Sequence, residues 1–225
     1  MIGLLFATLR EAAPFLESVG VDADPKHVDG WPLVESPFAG VGGVRISISG
    51  MGPAAAAAAA GKLLADPGIR ILVNAGICGA LVDGPGFREG AVFSVCEAVH
   101  EPSDPNAPSE PILLDPGPWA HLPGARLVSV SDPVFDLCRR AALSVYGDLV
   151  DMEGAAVAWA AKSFGKPCWM LKAVTDSAGY EERKRLHRNL PRASRRLAEH
   201  LGGGLARPNP PGAANSPSNH LECQP

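Results

Sequence analysis

Metal-binding patterns are missing from this chain. Its five cysteines include no CxxC pair, and its six histidines form neither an HxxxH pair nor a cluster with cysteine. Structural zinc sites use closely spaced ligands of these kinds. We therefore expect the protein to bind no metal.

Excess positive charge and long apolar runs are missing as well. The net charge of −4 argues against a general nucleic-acid binder. No segment holds eighteen uncharged apolar residues, and the alanine run 54–60 is too short to span a bilayer. No basic region precedes the apolar N-terminal run, and Arg10 and Glu11 come too early for a secretory signal. We expect a cytoplasmic protein that binds neither membrane nor nucleic acid.

What is present is an alternation of β-rich and helical segments. Several of the β-rich runs are apolar on both faces, as in strands that helices cover on both sides. This alternation predicts an α/β fold, a single domain with a mixed central β-sheet flanked by helices. The predicted strands cover 2–7, 44–49, 69–74, 91–95, 126–130 and 168–174, and the predicted helices cover 9–19, 53–65, 134–145, 153–164 and 181–201.

Two segments differ in composition from this pattern. Residues 97–125 are rich in proline and are expected to form an ordered excursion or a loop that faces a partner. From position 202 to 225 the chain consists largely of Gly, Pro, Asn and Ser, a composition typical of a disordered tail. The predicted domain therefore spans 1–201.

Carboxylates that interrupt apolar segments are the most informative feature. Glu153 lies in the segment 150–158, and Asp176 lies in the segment 171–177. Burying a carboxylate costs several kcal/mol unless it is paired or hydrogen-bonded, so such positions usually have a function. Both follow apolar runs, as the segment 74–79 does, and ligands of such sheets bind beyond the carboxyl ends of strands. These residues are our candidates for a binding site.

Five segments, in this order, resemble the nucleoside phosphorylase superfamily. Within that superfamily the chain is most similar to the 5′-methylthioadenosine/S-adenosylhomocysteine nucleosidases. The resemblance runs from about residue 1 to 200, and its most specific parts are MEGAA and AVTD. The segments are Gly3-Leu4-Leu5 with Glu11, Ser49-Gly50-Met51-Gly52, Asn74-Ala75-Gly76-Ile77-Cys78-Gly79-Ala80, Asp151-Met152-Glu153-Gly154-Ala155-Ala156 and Ala173-Val174-Thr175-Asp176.

The resemblance implies roles for the two carboxylates. Glu153 corresponds to the residue that accepts hydrogen bonds from the ribose hydroxyls, with the backbone of Met152 beside it. Asp176 corresponds to the general acid that protonates N7 of the purine, and an aspartate there fits an adenine-type base. Without the resemblance, a first-turn glutamate that the helix dipole favours explains Glu153 equally well. Asp176 taken alone is more simply a turn or cap residue.

The resemblance also assigns the remaining candidates. Glu11 corresponds to the glutamate that positions the hydrolytic water. Gly76 and Ile77 fall where relatives contact the water, ribose or phosphate, but relatives often have serine in place of Ile77. Isoleucine has no side-chain donor, so this part of the site must differ. Val134 corresponds to a position near the base, where Phe135 replaces the aromatic residue of relatives.

The activity implied is cofactor-free hydrolysis of the N-glycosidic bond of a purine nucleoside, in particular a 5′-modified adenosine such as methylthioadenosine or S-adenosylhomocysteine. The resemblance implies a homodimer, in which 97–125 is a candidate for completing the neighbour's 5′ pocket. A futalosine-type hydrolase and a nucleoside-binding relative without activity remain alternatives.

Two further alternatives involve other ligands. A phosphate-dependent phosphorylase is disfavoured because the early Gly-Asp-Pro-x-Arg loop of such enzymes is missing, which leaves Arg10 and Arg45 as substitutes. Gly50, Gly52 and Ala55 formally match the GxGxxA pattern of dinucleotide-binding folds. That pattern is weak here because no acidic residue ends the next strand.

Overall fold

The computed structural model describes residues 1–21, the backbone of 33–34, and residues 43–104, 110–178 and 182–206. Over these ranges one sheet contains nine strands. The strands are β1 (Ile2–Phe6), β2 (Leu33–Val34), β3 (Val44–Ile48), β4 (Ile71–Ala80), β5 (Val92–His100), β6 (Ile112–Leu113), β7 (Gly124–Ser129), β8 (Leu149–Asp151) and β9 (Cys168–Asp176).

Five α-helices accompany the strands within the described ranges, and their starts follow local sequence signals. Thr8 caps α1 by accepting a hydrogen bond from the Glu11 N–H, and Asp136 caps α3 by accepting one from Arg139. None of the helices in the described part of the chain is both long and apolar enough to cross a membrane. The helices are α1 (Leu9–Ser18), α2 (Pro53–Leu64), α3 (Leu137–Leu143), α4 (Gly154–Ser163) and α5 (Glu182–Leu205).

The sheet is mixed, and five of its strands close into a ring. Strand β4 pairs parallel with β9 and, at its far end, antiparallel with β8. Strand β9 pairs antiparallel with β5, which runs parallel to β7, and β7 runs parallel to β8. Outside the ring, β1 lies parallel between β3 and β4. The predicted mixed α/β sheet is confirmed.

Helices cover both faces of this sheet, as the apolar strands predicted. Alternate residues of β1 face opposite sides, so that Leu4 packs with α1 and α5 whereas Leu5 packs with α2 and α4. All nine residues of β9 are buried. Burial on both sides places the ends of β1, β4, β8 and β9 inside the molecule, where polar side chains must find partners.

The six predicted strands are all present, but β4, β5 and β9 extend beyond their predicted ends, and β9 includes Asp176. Strand β4 continues beyond Asn74 to Ala80, through two glycines that resemble a loop in the sequence. A Cβ on Gly79 would lie 3.1 Å from Ala178 Cβ and 3.2 Å from Val150 Cγ1, so glycine allows the strands to pack closely there. Strands β2, β6 and β8 are too short to give a periodic signal.

The last helix ends later than predicted. Its predicted end at 201 is wrong by four residues, because Gly202 to Gly204 read as a helix terminus but remain helical to Leu205. Gly204 packs directly against the indole of Trp119, which leaves no space for a side chain. Trp119 Nε1 donates a hydrogen bond to His200 O at 2.8 Å, which fixes this contact.

The proline-rich segment 97–125 contains more regular structure than a loop. It includes the end of β5, all of β6, a 3-10 turn at Gly117–Trp119 and the start of β7. Trp119 is completely buried, and it meets Trp169 edge to face at 5.9 Å. Residues 105–109 of this segment and the predicted tail from 207 onward lie outside the described residues.

Candidate active site

A cavity of ≈ 570 Å³ opens at the carboxyl ends of the central strands. The beginning of α1, the end of β4, the turn between β8 and α4, the end of β9 and the second turn of α5 form its walls. Four carboxylates line the cavity among otherwise largely apolar side chains; they are Glu11, Asp151, Glu153 and Asp176. The volume lies in the range typical of small-molecule sites.

Glu11 is held by contacts to both of its carboxylate oxygens. Thr8 Oγ1 donates to Oε1 at 2.6 Å, and the Ile77 N–H donates to Oε2 at 3.2 Å. Burial raises the pKa of Glu11, and the Thr8 hydrogen bond and the charge of Lys172 oppose that effect. A fixed carboxylate with a raised pKa is suited to accept a proton from a bound water.

Glu153 lies where β8 leads into α4, but it does not act as a helix cap. Its side chain makes no capping hydrogen bond. Instead, Oε1 accepts a hydrogen bond from the Gly52 N–H at 2.6 Å. Burial raises the pKa of Glu153 to about 7, and the charge of Asp151 acts in the same direction. A favourable interaction with the helix dipole is therefore not enough to explain the position of Glu153.

The glycine pair before α2 explains how Gly52 reaches Glu153. Gly50 and Gly52 have φ values of +83° and +94°, a conformation that favours glycine. This backbone turns the Gly52 N–H toward the cavity, where it binds a carboxylate of the protein itself. The GxGxxA pattern thus has a structural explanation that needs no dinucleotide.

Asp176 ends β9 and is 5% exposed. Thr175 Oγ1 donates to its Oδ2 at 2.7 Å, and the Ala178 N–H donates to its Oδ1 at 2.9 Å. The bond to Ala178 is the turn contact that the sequence alone predicts. The same carboxyl group lines the cavity, so the turn holds it in one orientation there.

An ion pair lies directly behind these groups. Lys172 Nζ is 2.8 Å from Asp151 Oδ2, and the two side chains are 2% and 1% exposed. Asp151 also accepts hydrogen bonds from Ser129 Oγ and from the Gly154 N–H. Burial alone would lower the pKa of Lys172, but the negative charges of Asp151, Glu153 and Glu11 outweigh it, and the pKa is raised.

Gly76 connects this ion pair with Glu11. A Cβ at Gly76 would lie 2.9 Å from Glu11 Oε2 and 3.3 Å from Lys172 Nζ. Both charged groups therefore lie against the backbone of β4 at one position, and only glycine leaves room for them. Gly76 lies behind the cavity surface and is the one predicted site residue that does not line it.

The other predicted site residues come together in the cavity. Met152, Ile77, Val134 and Phe135 line the same walls as the carboxylates, although the prediction took them from three separate segments. Ile77 contributes its backbone N–H to Glu11, so the position lacks the expected side-chain donor but supplies a main-chain one.

Sequence reasoning missed Lys172 and the residues that α5 contributes. Lys172 is the single charged residue of the apolar segment 168–175, which was a usable signal. Leu186, His187 and Leu190 line the cavity, but nothing in the sequence distinguished them from the rest of an amphipathic helix. Among the described residues, no group of three or more His, Cys, Asp or Glu side chains is arranged to hold a metal ion.

Comparison with known proteins gives a family and a fold. The family model described as Phosphorylase superfamily matches residues 1–136 and 125–203. A search of curated proteins finds no significant match.

Solved structures with the same fold include three nucleoside-cleaving enzymes. A 5′-methylthioadenosine/S-adenosylhomocysteine nucleosidase from Helicobacter pylori is 20% identical with a TM-score of 0.78, over 91% of this chain and 97% of that one. A futalosine hydrolase from the same organism is 20% identical with a TM-score of 0.76, over 91% and 96%. A nucleosidase from Streptococcus pneumoniae is 21% identical with a TM-score of 0.72, over 91% and 98%.

Proposed function

The chain belongs to the phosphorylase superfamily, and from this premise we propose that it hydrolyses the N-glycosidic bond of a purine nucleoside, in particular a 5′-modified adenosine. The observation that carries the proposal is the placement of Glu11, Glu153 and Asp176 around one cavity. Each is at most 8% exposed, and protein groups fix each of them in position.

Glu153 binds the ribose. Its Oε1 is occupied by the Gly52 N–H, and no other hydrogen bond to it is found among the described residues, so Oε2 is left for ligand hydroxyls. When ionised, the carboxylate also stabilises the positive charge that develops on the sugar as the glycosidic bond breaks. Met152 lies beside it on the cavity wall.

Asp176 protonates the departing base at N7. A neutral purine leaves far more easily than an anionic one, and a positioned acid contributes roughly 10²- to 10⁴-fold. Thr175 and Ala178 donate to the carboxyl group and hold it at the end of β9. Val134 and Phe135 supply apolar walls for the base.

Glu11 orients water and takes its proton. The two bonds that hold its oxygens come from Thr8 and Ile77, at the edge of the cavity wall. Water is favoured over phosphate as the nucleophile because an anion at this depth would meet four carboxylates. The buried ammonium of Lys172 is already paired with Asp151.

The substrate class follows from the aspartate and from the size of the cavity. Asp176 suits an aminopurine, and the remaining wall offers room for a 5′ substituent. No nucleic acid, membrane or cofactor takes part in this proposal. A homodimer, in which the partner's segment 97–125 completes the 5′ end of the cavity, belongs to the same proposal.

The test is a product analysis with purified protein. Methylthioadenosine, S-adenosylhomocysteine, adenosine and inosine are incubated with and without phosphate, and the free base and sugar product are quantified. We expect adenine and an unphosphorylated sugar at rates indifferent to phosphate. Strict phosphate dependence with a sugar 1-phosphate product would identify a phosphorylase, and no release of base from any nucleoside would contradict the proposal.

A further inference from the structure

The first turn of α4 is capped by two side chains that lie outside the helix. Asp151 Oδ2 accepts a hydrogen bond from the Gly154 N–H at 2.9 Å. Ser129 Oγ accepts one from the Ala155 N–H at 2.8 Å. The N–H groups of a first helical turn have no partner within the helix, and they usually bind the side chain of the residue that precedes it. At α4 that residue is Glu153, whose carboxylate makes no such bond.

Ser129 and Asp151 form one hydrogen-bonded unit. They are partners in the parallel register of β7 and β8, and Ser129 Oγ donates to Asp151 Oδ1 at 2.5 Å. The backbone of Ser129 is fixed as well, because its C=O accepts a hydrogen bond from the Glu101 N–H at 2.9 Å. Ser129 is 2% exposed and does not line the cavity. Its hydroxyl therefore acts as donor and as acceptor inside the protein, without touching a ligand.

The start of α4 lies very close to this unit. A Cβ on Gly154 would lie 2.9 Å from Asp151 Oδ2 and would overlap Leu127 Cδ2. Only glycine therefore allows the helix to begin so near β7 and β8. Since both strands belong to the closed ring of the sheet, the hydroxyl and the carboxylate hold the first turn of α4 at one place on that ring.

This arrangement leaves the carboxylate of Glu153 available for other partners. A capping role would turn the side chain back over the N–H groups of α4, but Asp151 and Ser129 already occupy them. Glu153 Oε1 instead accepts from the Gly52 N–H, and the side chain lines the cavity. Because Glu153 directly precedes Gly154, the placement of the first turn also determines where its carboxylate lies.

We infer that Ser129 is a positioning residue for Glu153, and that its hydroxyl sets how strongly the protein distinguishes a ribose from a sugar without the 2′ and 3′ hydroxyls. This inference rests on the proposed function. Removing the hydroxyl would leave the Ala155 N–H and one oxygen of Asp151 without their partner, so the first turn of α4 must shift. Small displacements of a binding group weaken the bonds that depend on its position.

The experiment measures kcat/KM for methylthioadenosine and for its 2′,3′-dideoxy analogue, and compares their ratio between variants. The intrinsic reactivity of the two nucleosides is the same for every variant and cancels. We expect the ratio to fall about tenfold in Ser129→Ala, because the bonds from the ribose hydroxyls to Glu153 are weakened. A merely structural loss would lower both values equally and leave the ratio unchanged. Ser129→Cys, which has nearly the same shape but forms weaker hydrogen bonds, should lie between Ser129→Ala and wild type.

Two further variants serve as controls. Glu153→Gln should lower the ratio at least as much as Ser129→Ala, since it removes the charge that accepts from the hydroxyls. Ser94→Ala should leave the ratio unchanged. Ser94 is also a buried serine of the ring, but its hydroxyl has no hydrogen-bond partner among the described residues.

Several results would overturn the inference. A ratio in Ser129→Ala equal to that of wild type would do so, and so would an equally large fall in Ser94→Ala. An unchanged ratio in Glu153→Gln would remove the ribose contact itself. If wild type cleaves neither nucleoside, the proposed function fails, and the ratio of calorimetric dissociation constants decides the positioning role instead. If circular dichroism shows that Ser129→Ala does not fold, Ser129→Cys decides by the same criteria.

Discussion

Lys172 and Asp151 form a buried ion pair that joins two strands of the candidate active site. The 2.8 Å contact links β9, which carries Asp176 four residues after Lys172, with β8, which leads to Glu153 two residues after Asp151. Through Gly76 the same ammonium lies close to Glu11. One positive charge thus holds together the three segments that supply the carboxylates.

Replacing Lys172 by methionine should destabilise the protein strongly. The variant leaves Asp151 buried without its counter-ion, and breaking such a pair costs about 3–5 kcal/mol. The free energy of unfolding, measured by urea denaturation, checks this value. The matched control is Arg196→Met, which breaks the exposed pair of Arg196 with Glu199 and should cost at most about 1 kcal/mol.

A double variant distinguishes ion pairing from simple packing. Lys172→Met combined with Asp151→Asn removes both charges, so its loss of stability should be smaller than the sum of the two single losses. Strict additivity would show that the pair contributes no coupling. A cost for Lys172→Met no larger than that for Arg196→Met would lead to the same conclusion.

The stability of the protein should depend on pH because Glu153 titrates differently in the folded and unfolded states. Its pKa is raised from 4.5 to about 7 in the folded protein, so folding favours the neutral carboxyl group. The resulting contribution to stability is complete below about pH 4.5 and is lost as the pH rises through about 7. Relative to wild type, Glu153→Gln should therefore gain stability between pH 5 and 8, on the order of 1–3 kcal/mol. The free energies of unfolding of both proteins, measured with urea at pH 5 and at pH 8, test this gain. The control is Glu110→Gln, at an exposed glutamate.

Activity should change with pH in the opposite direction to stability. The proposed binding of ribose by Glu153 requires the ionised carboxylate, so kcat/KM should rise as the pH increases through about 7. A profile of kcat/KM from pH 5 to 9 on methylthioadenosine tests this expectation. A flat profile across neutrality would contradict the assigned role.

Asp176→Asn should lose turnover without losing the fold. The asparagine oxygen can still accept from the Ala178 N–H, and its NH2 group can donate to Thr175 Oγ1, but the amide cannot deliver a proton to the base. We therefore expect kcat to fall roughly 10²- to 10⁴-fold. Single-turnover release of adenine measures the loss, and circular dichroism with a urea midpoint verifies folding. Activity within a few-fold of wild type would remove Asp176 from the acid role.

Gly76→Ala should impair catalysis through Glu11. The added methyl group would lie 2.9 Å from Glu11 Oε2, where the bond from the Ile77 N–H now ends, so the carboxylate must move. We expect kcat to fall about 10- to 100-fold, because small displacements of catalytic groups are costly. Gly61→Ala in α2 is the matched control, since a Cβ there meets no atom within 4 Å. It should stabilise the helix by about 0.5–1 kcal/mol and leave kcat unchanged.

The strength of the local sequence signals determined how far prediction succeeded. Strands apolar on both faces mark their elements in any context, so the mixed sheet and its flanking helices were predictable. The cap Asp136 was overlooked, and α3 therefore begins at Leu137, three residues later than predicted. The end of β4 was not predictable, because Gly76 and Gly79 indicate a loop until the groups packed against them are known. Glu153 and Asp176 were candidates because they interrupt apolar segments, and the family resemblance added Glu11. Lys172 and His187 became evident only when the fold brought distant segments together.

The ring of strands has a consequence for how the protein is made. Strand β4 pairs with β9 along its length, from Leu72 with Cys168 to Gly79 with Asp176, so the ring closes late in synthesis. Glu11, Asp151 and Glu153 leave the ribosome before Lys172 does, and until β9 docks these acids have no buried cation to balance them. Non-local pairing of this kind also slows folding. The candidate active site can therefore be completed only after β9 has been synthesised, because this one strand supplies both the balancing Lys172 and the proposed general acid Asp176.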